Sequence, residues 1–421
     1  MSNILSLFLL LFLSTSFLMV SIKPEFSFVH YFFSILSFFL FSFYFIYKKN
    51  ILNKYFFKII NKYYLALILS TFLGFIIVYI LDDSIYALKE INMYGRMVNI
   101  SLFSLLSWFV VSLCFYDKYN FSPRRIASFY ASGCFLLILT GYWQAISLYL
   151  GMGEFPFETR SIVHGVGKTD YDIQGRLTGL AAEPSYFVPF VLDFMILSLV
   201  IFRKNITKLV FFSIATFVLF LSFSPSGYMS AFGSLLLALI LVANFKNKIY
   251  IYIYSALLSF FVVFIITILD KFKNIGYVLG RLAQINEDVR FLTIYEVLNE
   301  FFNSNILTIL FGYGVTNFQF ASLRTNYSQF ETSNNMFADM LIELGIVGLL
   351  LILVMFLKLF VLIRKSSINA LQKFVCYALL FDLLITGLVR ADYATSRFFI
   401  VIALIFLLSK FNIDNEGKNG Y

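Results

Sequence analysis

Long apolar runs bounded by charged residues recur along almost the whole chain. None of them alternates apolar and polar residues with the period of a barrel strand, and backbone polar groups in lipid must be satisfied internally, so the runs predict α-helices. A run of about 20 apolar residues is also the length that a helix needs to cross a bilayer. We predict twelve membrane-spanning helices, over residues 4–22, 27–47, 64–81, 97–116, 126–150, 184–202, 208–224, 226–244, 249–269, 337–363, 374–389 and 397–411.

The composition supports this pattern. Of the 421 residues, 60% are hydrophobic and only 13% are charged, whereas soluble domains carry about 25% charged residues. Such a chain cannot cover its own surface with polar groups, which excludes an ordinary soluble enzyme. We therefore expect one all-α polytopic membrane domain over residues 1–421.

The distribution of Lys and Arg predicts the orientation. If the N-terminus is cytoplasmic, the segments on that side contain 18 of the 32 basic residues and three acidic ones, whereas the opposite segments contain 13 basic and 16 acidic residues. Cytoplasmic loops are enriched in Lys and Arg, so both termini are predicted to be cytoplasmic. The net charge of +9 is then a topology signal, and nucleic acid is not an expected partner because the basic residues are scattered over short loops.

Two segments on the opposite side are long, at residues 151–183 and 270–336, and are rich in Gly, Arg, Asp, Glu, Asn and Tyr. Loops of this length are uncommon without a function, so we expect the chemistry of the protein in these two external, periplasmic loops. No cofactor and no metal ion are expected.

The first external loop contains His164 and Arg176 and ends at Glu183, directly before Pro184. Proline is favoured at the first helical position, so the Glu183 carboxylate is predicted to lie at a helix N-terminus. It is either a helix cap or a functional acid. Arg176 either pairs with Glu183 or binds a phosphate.

The second external loop contains an amphipathic stretch from Ile285 to Phe302, which predicts a helix on the outer membrane surface or against the bundle. Arg281 precedes this stretch and Arg290 lies in its first turns. Exposed arginines are usually solvated, but two so close together make an anion site the alternative.

The second loop ends with two short motifs, Gly-Tyr-Gly at 312–314 and Ser-Asn-Asn at 333–335. The tenth predicted span follows and carries Asp339 and Glu343. Acids within a span tend to face a bundle interior, so both are site candidates by default.

Taken together, these motifs resemble the O-antigen polymerase and ligase superfamily of bacterial envelopes over about residues 170–350. Within it the chain looks most like the polymerase branch, Wzy, because the ligase branch usually shows Ser-His-Asn where this chain has Ser-Asn-Asn at 333–335. The segments that carry the resemblance are Arg176-Leu-Thr-Gly179…Glu183-Pro184-Ser185, Arg290…Phe311-Gly312-Tyr313-Gly314…Phe318 and Ser333-Asn334-Asn335-Met-Phe…Glu343-Leu-Gly345-Ile-Val-Gly348.

The resemblance implies a glycosyltransferase C-like fold and metal-independent glycosyl transfer on the periplasmic side of the inner membrane. The polymerase branch joins oligosaccharide repeat units carried on undecaprenyl pyrophosphate into O-antigen or a related surface polysaccharide. The partners implied are this lipid-linked oligosaccharide, membrane lipid and a chain-length regulator protein.

The residue chemistry allows the same reaction, because Arg side chains can stabilise a pyrophosphate leaving group and a carboxylate can take the proton of an attacking hydroxyl. We expect a catalytic group of Arg290, Glu183 and Arg176, with Glu183 as the proton acceptor. The substrate-binding residues that we expect are Arg281 at the pyrophosphate, Asn334 and Asn335 at sugar or phosphate oxygens, Tyr313 on a sugar, and His164 as a reserve base.

Two other functions stay open from the sequence: a flippase or transporter for lipid-linked oligosaccharides, and an O-antigen ligase. Carriers often have related halves, but residues 1–210 and 211–421 show no convincing similarity and the polar residues crowd to one membrane face. This asymmetry favours an enzyme that uses an external substrate.

Overall fold

The computed structural model describes residues 2–21, 23–48, 52–76, 95–117, 120–157, 176–242, 289–328, 330 and 332–413. In these ranges the regular structure is helical, apart from an isolated antiparallel bridge between Ser21 and Ala181. The helices are α1 (Ser2–Ser14) with a 3-10 helix at Ser16–Val20, α2 (Pro24–Tyr47), α3 (Lys54–Ile76), α4 (Gly95–Tyr116), α5 (Pro123–Leu150), α6 (Pro184–Ile201), α7 (Asn205–Leu221), α8 (Pro225–Val242), α9 (Val289–Phe302), α10 (Ile306–Phe311), α11 (Phe318–Ser322), α12 (Met336–Lys365), α13 (Ala370–Gly387) and α14 (Ser396–Lys410).

In the described ranges, nine helices are long and apolar enough to cross a membrane, if α1 is counted together with its 3-10 extension. The helix α7 is apolar but shorter. Together with α14 they lie at eleven of the twelve predicted runs. The predicted run at 249–269 falls in a part of the chain that the structure does not describe. The predicted class, an all-α polytopic membrane protein, is confirmed.

The third helix begins ten residues before its predicted start at residue 64, because Lys54, Lys58 and Lys62 belong to the helix and not to a loop. Their spacing of four residues places them along one side of α3. Long Lys side chains can keep their charge in water while their aliphatic stems cover apolar surface, so these charges do not end the helix.

The short helix α14 occupies the centre of the bundle. Its residues from Ser396 to Ser409 are all buried, and it packs against α4, α5, α12 and α13. From Phe398 to Leu408 the helix is apolar on all sides, which is typical of such an enclosed position. Around it, α13 packs on α8, α12 on α3, and α6 on both α5 and α7.

The helix α12 is interrupted at Gly345, whose backbone angles (φ 68°, ψ −178°) are not helical. The break frees the carbonyls of Ile342 and Glu343, which accept hydrogen bonds from the N–H groups of Tyr313 (3.0 Å) and Gly314 (2.9 Å) respectively. Backbone polar groups at a helix break in a membrane protein require such partners. The Gly-Tyr-Gly motif therefore supports the broken helix.

Only glycine suits the break, because a Cβ atom at Gly345 would overlap the carbonyl oxygen of Leu310. This backbone region is also almost exclusive to glycine. We expect Gly345→Ala to lower the free energy of unfolding by about 3 kcal/mol or more. Gly151→Ala is the matched control, since Gly151 also has a positive φ (63°) but has open space around its Cβ position; it should cost about 1 kcal/mol. Thermal unfolding in detergent checks both, and equal shifts would contradict the packing role.

Candidate functional site at one end of the bundle

Two of the chain segments that carry predicted motifs, 176–183 and 332–335, lie at one end of the helix bundle, where each is next to residues 388–395 or the start of α6. The Leu177 N–H donates to the Leu221 carbonyl (3.0 Å) and the Ala182 N–H to the Val20 carbonyl (3.0 Å). The Asn335 amide donates to the Leu388 carbonyl (2.9 Å). We call this end the site end, defined by the segments 176–183, 222–224, 332–335 and 388–395.

The segment 388–395 is held by a buried cluster around Arg397. The Arg397 Nε and Nη2 atoms contact the Asp193 carboxylate at 2.8 and 3.1 Å. Arg397 also pairs with Asp382, and its Nη1 lies 3.1 Å from Asp392 Oδ2. Tyr130 donates a further hydrogen bond to Asp193 (2.6 Å). The guanidinium thus joins α6, α13 and the site end, and Tyr130 links α5 to the same cluster through Asp193.

Next to this cluster, Arg390 stacks on an aromatic ring. Its guanidinium carbon lies 4.0 Å from the ring centroid of Tyr186, and its Nη2 atom lies 3.0 Å from Asp392 Oδ1. The side chain is buried, and its Nε has no hydrogen-bond partner among the described residues. Burial lowers the pKa of the Arg390 guanidinium, while the negative charges of Asp392 and Glu183 act in the opposite direction. A buried donor without a partner is costly, so this Nε–H is suited to receive an anionic ligand.

Glu183 lies at the N-cap position of α6, directly before Pro184, as the sequence predicts. Its side chain makes no capping hydrogen bond and instead accepts one from the Ser185 hydroxyl (3.0 Å). The carboxylate is partly exposed and close enough to Arg390 to affect its charge equilibrium. The helix-cap interpretation of Glu183 therefore has no hydrogen bond to support it, and a role as a functional acid stays a prediction.

Arg176 is the first residue of the 176–183 segment. Its Nε donates to the Ser222 carbonyl (3.4 Å) in the connection between α7 and α8, and its own carbonyl accepts from Gln144 (3.5 Å). The side chain is partly exposed at the site end. It therefore lies within the same group of segments as Glu183.

The motif Ser-Asn-Asn divides into two residues that build the structure and one that does not. Ser333 donates from its hydroxyl (2.6 Å) and its N–H (2.9 Å) to Asp339. Asn335 caps α12 by accepting from the N–H groups of Phe337 and Ala338 (both 3.0 Å). Asn334 donates a hydrogen bond from its backbone N–H to the Thr332 hydroxyl (3.1 Å).

Asn334 also adopts a left-handed conformation (φ 57°), which Asn tolerates better than most residues. Its side chain is partly exposed. Of the two expected substrate-binding asparagines, Asn335 uses its amide to bond to the backbone, and substrate binding by Asn334 stays a prediction.

A second buried charge cluster surrounds Arg96, at the start of α4. Arg96 pairs with Glu343, lies 3.8 Å from Asp339 and donates to the Tyr393 hydroxyl (2.9 Å). Tyr393 in turn donates to Glu343, and burial raises the pKa of its phenol well above the ordinary value, which keeps it a neutral donor. The two acids expected in the tenth span thus form one network with the 388–395 segment.

The other expected site residues are placed as follows. Tyr313 is buried, with its ring in a hydrophobic cluster that includes Phe301 and Phe320. Arg290 lies in the first turn of α9, at a position where the structure describes only the backbone. Arg281 and His164 belong to the undescribed ranges.

Comparison with known protein families provides an independent indication. Residues 210–353 match the family model Wzy_C, described as O-Antigen ligase. The match covers less than half of the chain, and over these residues the chain is similar to the O-antigen polymerase and ligase superfamily. A search of curated proteins found no match.

The superfamily match supports a multi-pass enzyme of the bacterial inner membrane that acts in surface polysaccharide assembly, as a polymerase or a ligase, on a lipid-linked oligosaccharide. It extends from α7 into the second half of α12 and includes the Gly-Tyr-Gly and Ser-Asn-Asn motifs. Within the described residues, no group of three or more His, Cys, Asp or Glu side chains could hold a metal ion.

Two residues of the site end, Arg390 and Tyr393, were not predicted from the sequence, and neither was Arg96, which bonds to Tyr393 from α4. The connection 388–395 is short, so loop length did not identify it. The signal that could have found it is the group Arg390, Asp392 and Arg397, three charges within eight residues between two apolar runs. Charges next to spans usually pair with one another or with acids inside the bundle.

The Arg96 network makes a prediction about stability. Removing one partner of a buried ion pair leaves an uncompensated charge, so Arg96→Met should lower the free energy of unfolding by about 3–5 kcal/mol. Adding Glu343→Gln should restore part of the loss, because it removes the unpaired carboxylate. Arg324→Met is the matched control: Arg324 pairs with Glu300 at 3.4 Å, but both side chains are about a third exposed, so the loss should stay below about 1 kcal/mol. Unfolding in detergent measures all three, and no rescue by Glu343→Gln would contradict the pairing.

Proposed function

We propose that the protein is an O-antigen polymerase, which joins undecaprenyl-pyrophosphate-linked repeat units by glycosyl transfer at the site end. The observation that carries this proposal is the buried Arg390 guanidinium, stacked on Tyr186 with an unused Nε–H, beside the partly exposed Glu183 carboxylate. Glycosyl transfer from a pyrophosphate donor needs two groups: a cation that the protein holds in place, and an acidic side chain near it.

The reaction breaks the bond between the anomeric carbon of the donor sugar and the pyrophosphate oxygen. A hydroxyl of the acceptor sugar forms the new glycosidic bond, and undecaprenyl pyrophosphate leaves with the bonding electron pair. Its added negative charge requires donors that are already oriented, a role suited to Arg390 and Arg176, together with Arg290 from α9. Hydrogen bonds between Arg and phosphate are strong because both groups are charged.

The acceptor hydroxyl must lose its proton, and Glu183 is placed to take it. Its carboxylate accepts a hydrogen bond from Ser185 and is partly exposed at the site end. General bases of this kind typically contribute about 10²–10⁴-fold to a rate. Asn334 complements the site by offering its side-chain amide to a sugar or phosphate oxygen.

Two features favour a polymerase over a ligase or a flippase. Asn334 stands where the ligase branch usually has a His, so this position provides no imidazole base. The polar groups of the site also lie at one end of the bundle, whereas carriers place their sites near the bilayer midplane. With the termini cytoplasmic, as the basic residues predict, the site end faces the periplasm.

The role of Glu183 is tested by Glu183→Gln, which keeps the shape and removes the proton acceptor. In the bacterium's own glycan ladder we expect single repeats on the lipid core at a normal protein level, with a fall in polymer of at least about 100-fold. Glu154→Gln, an exposed acid that follows α5, is the matched control and should give a normal ladder. Long lipid-linked chains that do not reach the core would instead indicate a ligase, and single units retained in the cytoplasmic leaflet a flippase.

The role of Arg390 is tested by Arg390→Lys, which keeps a cation over Tyr186 but loses the Nε–H and the planar fork. We expect polymer formation to fall at least about tenfold, the effect of losing about 1.4 kcal/mol of pyrophosphate binding, with a rise in KM for the lipid-linked donor. Thermal unfolding separates this from a folding defect. A normal ladder from a stable Arg390→Lys protein would exclude Arg390 from the site.

A further inference from the structure

The segment 176–183, which leads from Arg176 to Glu183, is neither helix nor strand apart from an isolated β-bridge. Its residues from 177 to 179 are nevertheless buried. Buried backbone N–H and C=O groups require hydrogen-bond partners, and irregular backbone at membrane depth finds them in the surrounding protein. The side chains that supply these partners therefore determine where the segment lies.

Gln144, near the end of α5, supplies three of these partners. Its amide oxygen accepts hydrogen bonds from the N–H groups of Thr178 and Gly179 (both 2.8 Å), and its amide nitrogen donates to the Arg176 carbonyl (3.5 Å). An amide oxygen has two lone pairs and can accept from both N–H groups at once. One side chain, only 2% exposed, thus holds the backbone of the segment on either side of residue 177.

The next part of the segment is bound to the same face of α5. Thr140, which precedes Gln144 by four residues and so lies on the same side of the helix, accepts a hydrogen bond from the Leu180 N–H (3.2 Å). The backbone between Arg176 and Glu183 is therefore supported from α5 by two side chains. Gln144 makes the contacts that are nearest to Arg176.

We propose that Gln144 is a positioning residue for glycosyl transfer, which acts by fixing the place of Arg176 at the site end. The inference rests on the proposed function, in which Arg176 stabilises the pyrophosphate leaving group. Groups that stabilise developing charge must be oriented before the reaction, and a misplacement of about 1 Å can lower a rate about 100-fold. The effect of Gln144 passes through the backbone of residues 176–179, without contact with the substrate.

The test uses the purified full chain in liposomes with lipid-linked single repeat units, and initial rates at several donor concentrations give kcat and KM. Gln144→Met keeps the size of the side chain and removes its amide. Gln372→Met is the matched control, because Gln372 is 1% exposed and lies in the first turn of α13, at the opposite end of the bundle. It also bonds three backbone groups: the carbonyls of Leu408 and Phe411 (both 2.5 Å) and the Ile413 N–H (3.2 Å).

We expect Gln144→Met to lower kcat at least about tenfold with less than about a twofold change in KM. Gln372→Met should change kcat less than about twofold, although it loses as many hydrogen bonds. A role through Arg176 also predicts that the two residues are not additive. In an Arg176→Gln background, Gln144→Met should therefore lower kcat less than about threefold.

If Gln144→Met does not fold, Gln144→Asn and Gln372→Asn replace the pair, because they keep the amide and withdraw it by one methylene. A normal kcat for the Gln144 variant, an equal loss in the Gln372 control, or a full tenfold effect in the Arg176→Gln background would overturn the inference. The proposed function stands in these cases if Arg176→Gln itself lowers kcat. An unchanged kcat in Arg176→Gln would overturn the role of Arg176 and the inference together, and a wild-type chain that joins no repeats would overturn the proposed function and the inference with it.

Discussion

A guanidinium buried in a membrane-embedded bundle must be neutralised within its own reach, and Arg397 is neutralised by carboxylates from three segments. Asp193 belongs to α6, Asp382 to α13, and Asp392 to the connection between α13 and α14. Such clusters are weak sources of net stability, because desolvation offsets most of the attraction. They do restrict the positions of the charged groups, however, because displacing one partner leaves a buried charge unpaired. Arg397 therefore fixes how these three segments meet.

The site end depends on this constraint. With Asp392 held by Arg397, Arg390 is placed two residues earlier in the chain, where it stacks on Tyr186 near Glu183. On the other side of the same connection, Tyr393 joins Arg96 and Glu343. The connection thus links two charge clusters, one on α6 and α13 and the other on α4 and α12. Rigid placement of this kind is what oriented stabilisation of a leaving group requires.

The fold followed from the sequence more readily than the site did. The bilayer fixes the length of an apolar helix, so runs of hydrophobic residues predict spans, and the start of α3 was missed only because its lysines lie along one side of the helix. The position of Glu183 at a helix N-terminus was also predictable, from the proline that follows it.

Contacts between distant segments were not predictable in this way. Asn335 was expected to bind substrate, but its amide caps α12 and bonds to Leu388, a residue 53 positions away. Arg390 was overlooked because its connection is short, and its role depends on Tyr186, which is 204 residues away. The break at Gly345 likewise requires the Gly-Tyr-Gly motif from another segment. A single sequence shows which residues are unusual, and the packing determines which of them meet.

The central claim, polymerisation at the site end, is tested most directly by reconstitution. The purified protein would be placed in liposomes with lipid-linked single repeat units and no lipid core acceptor, and the length of the lipid-linked glycan would be measured over time. The account predicts that the glycan grows by whole repeats while undecaprenyl pyrophosphate is released in equal number to the bonds formed. Glycan that stays at one repeat, and is transferred only when a lipid core acceptor is added, would contradict it.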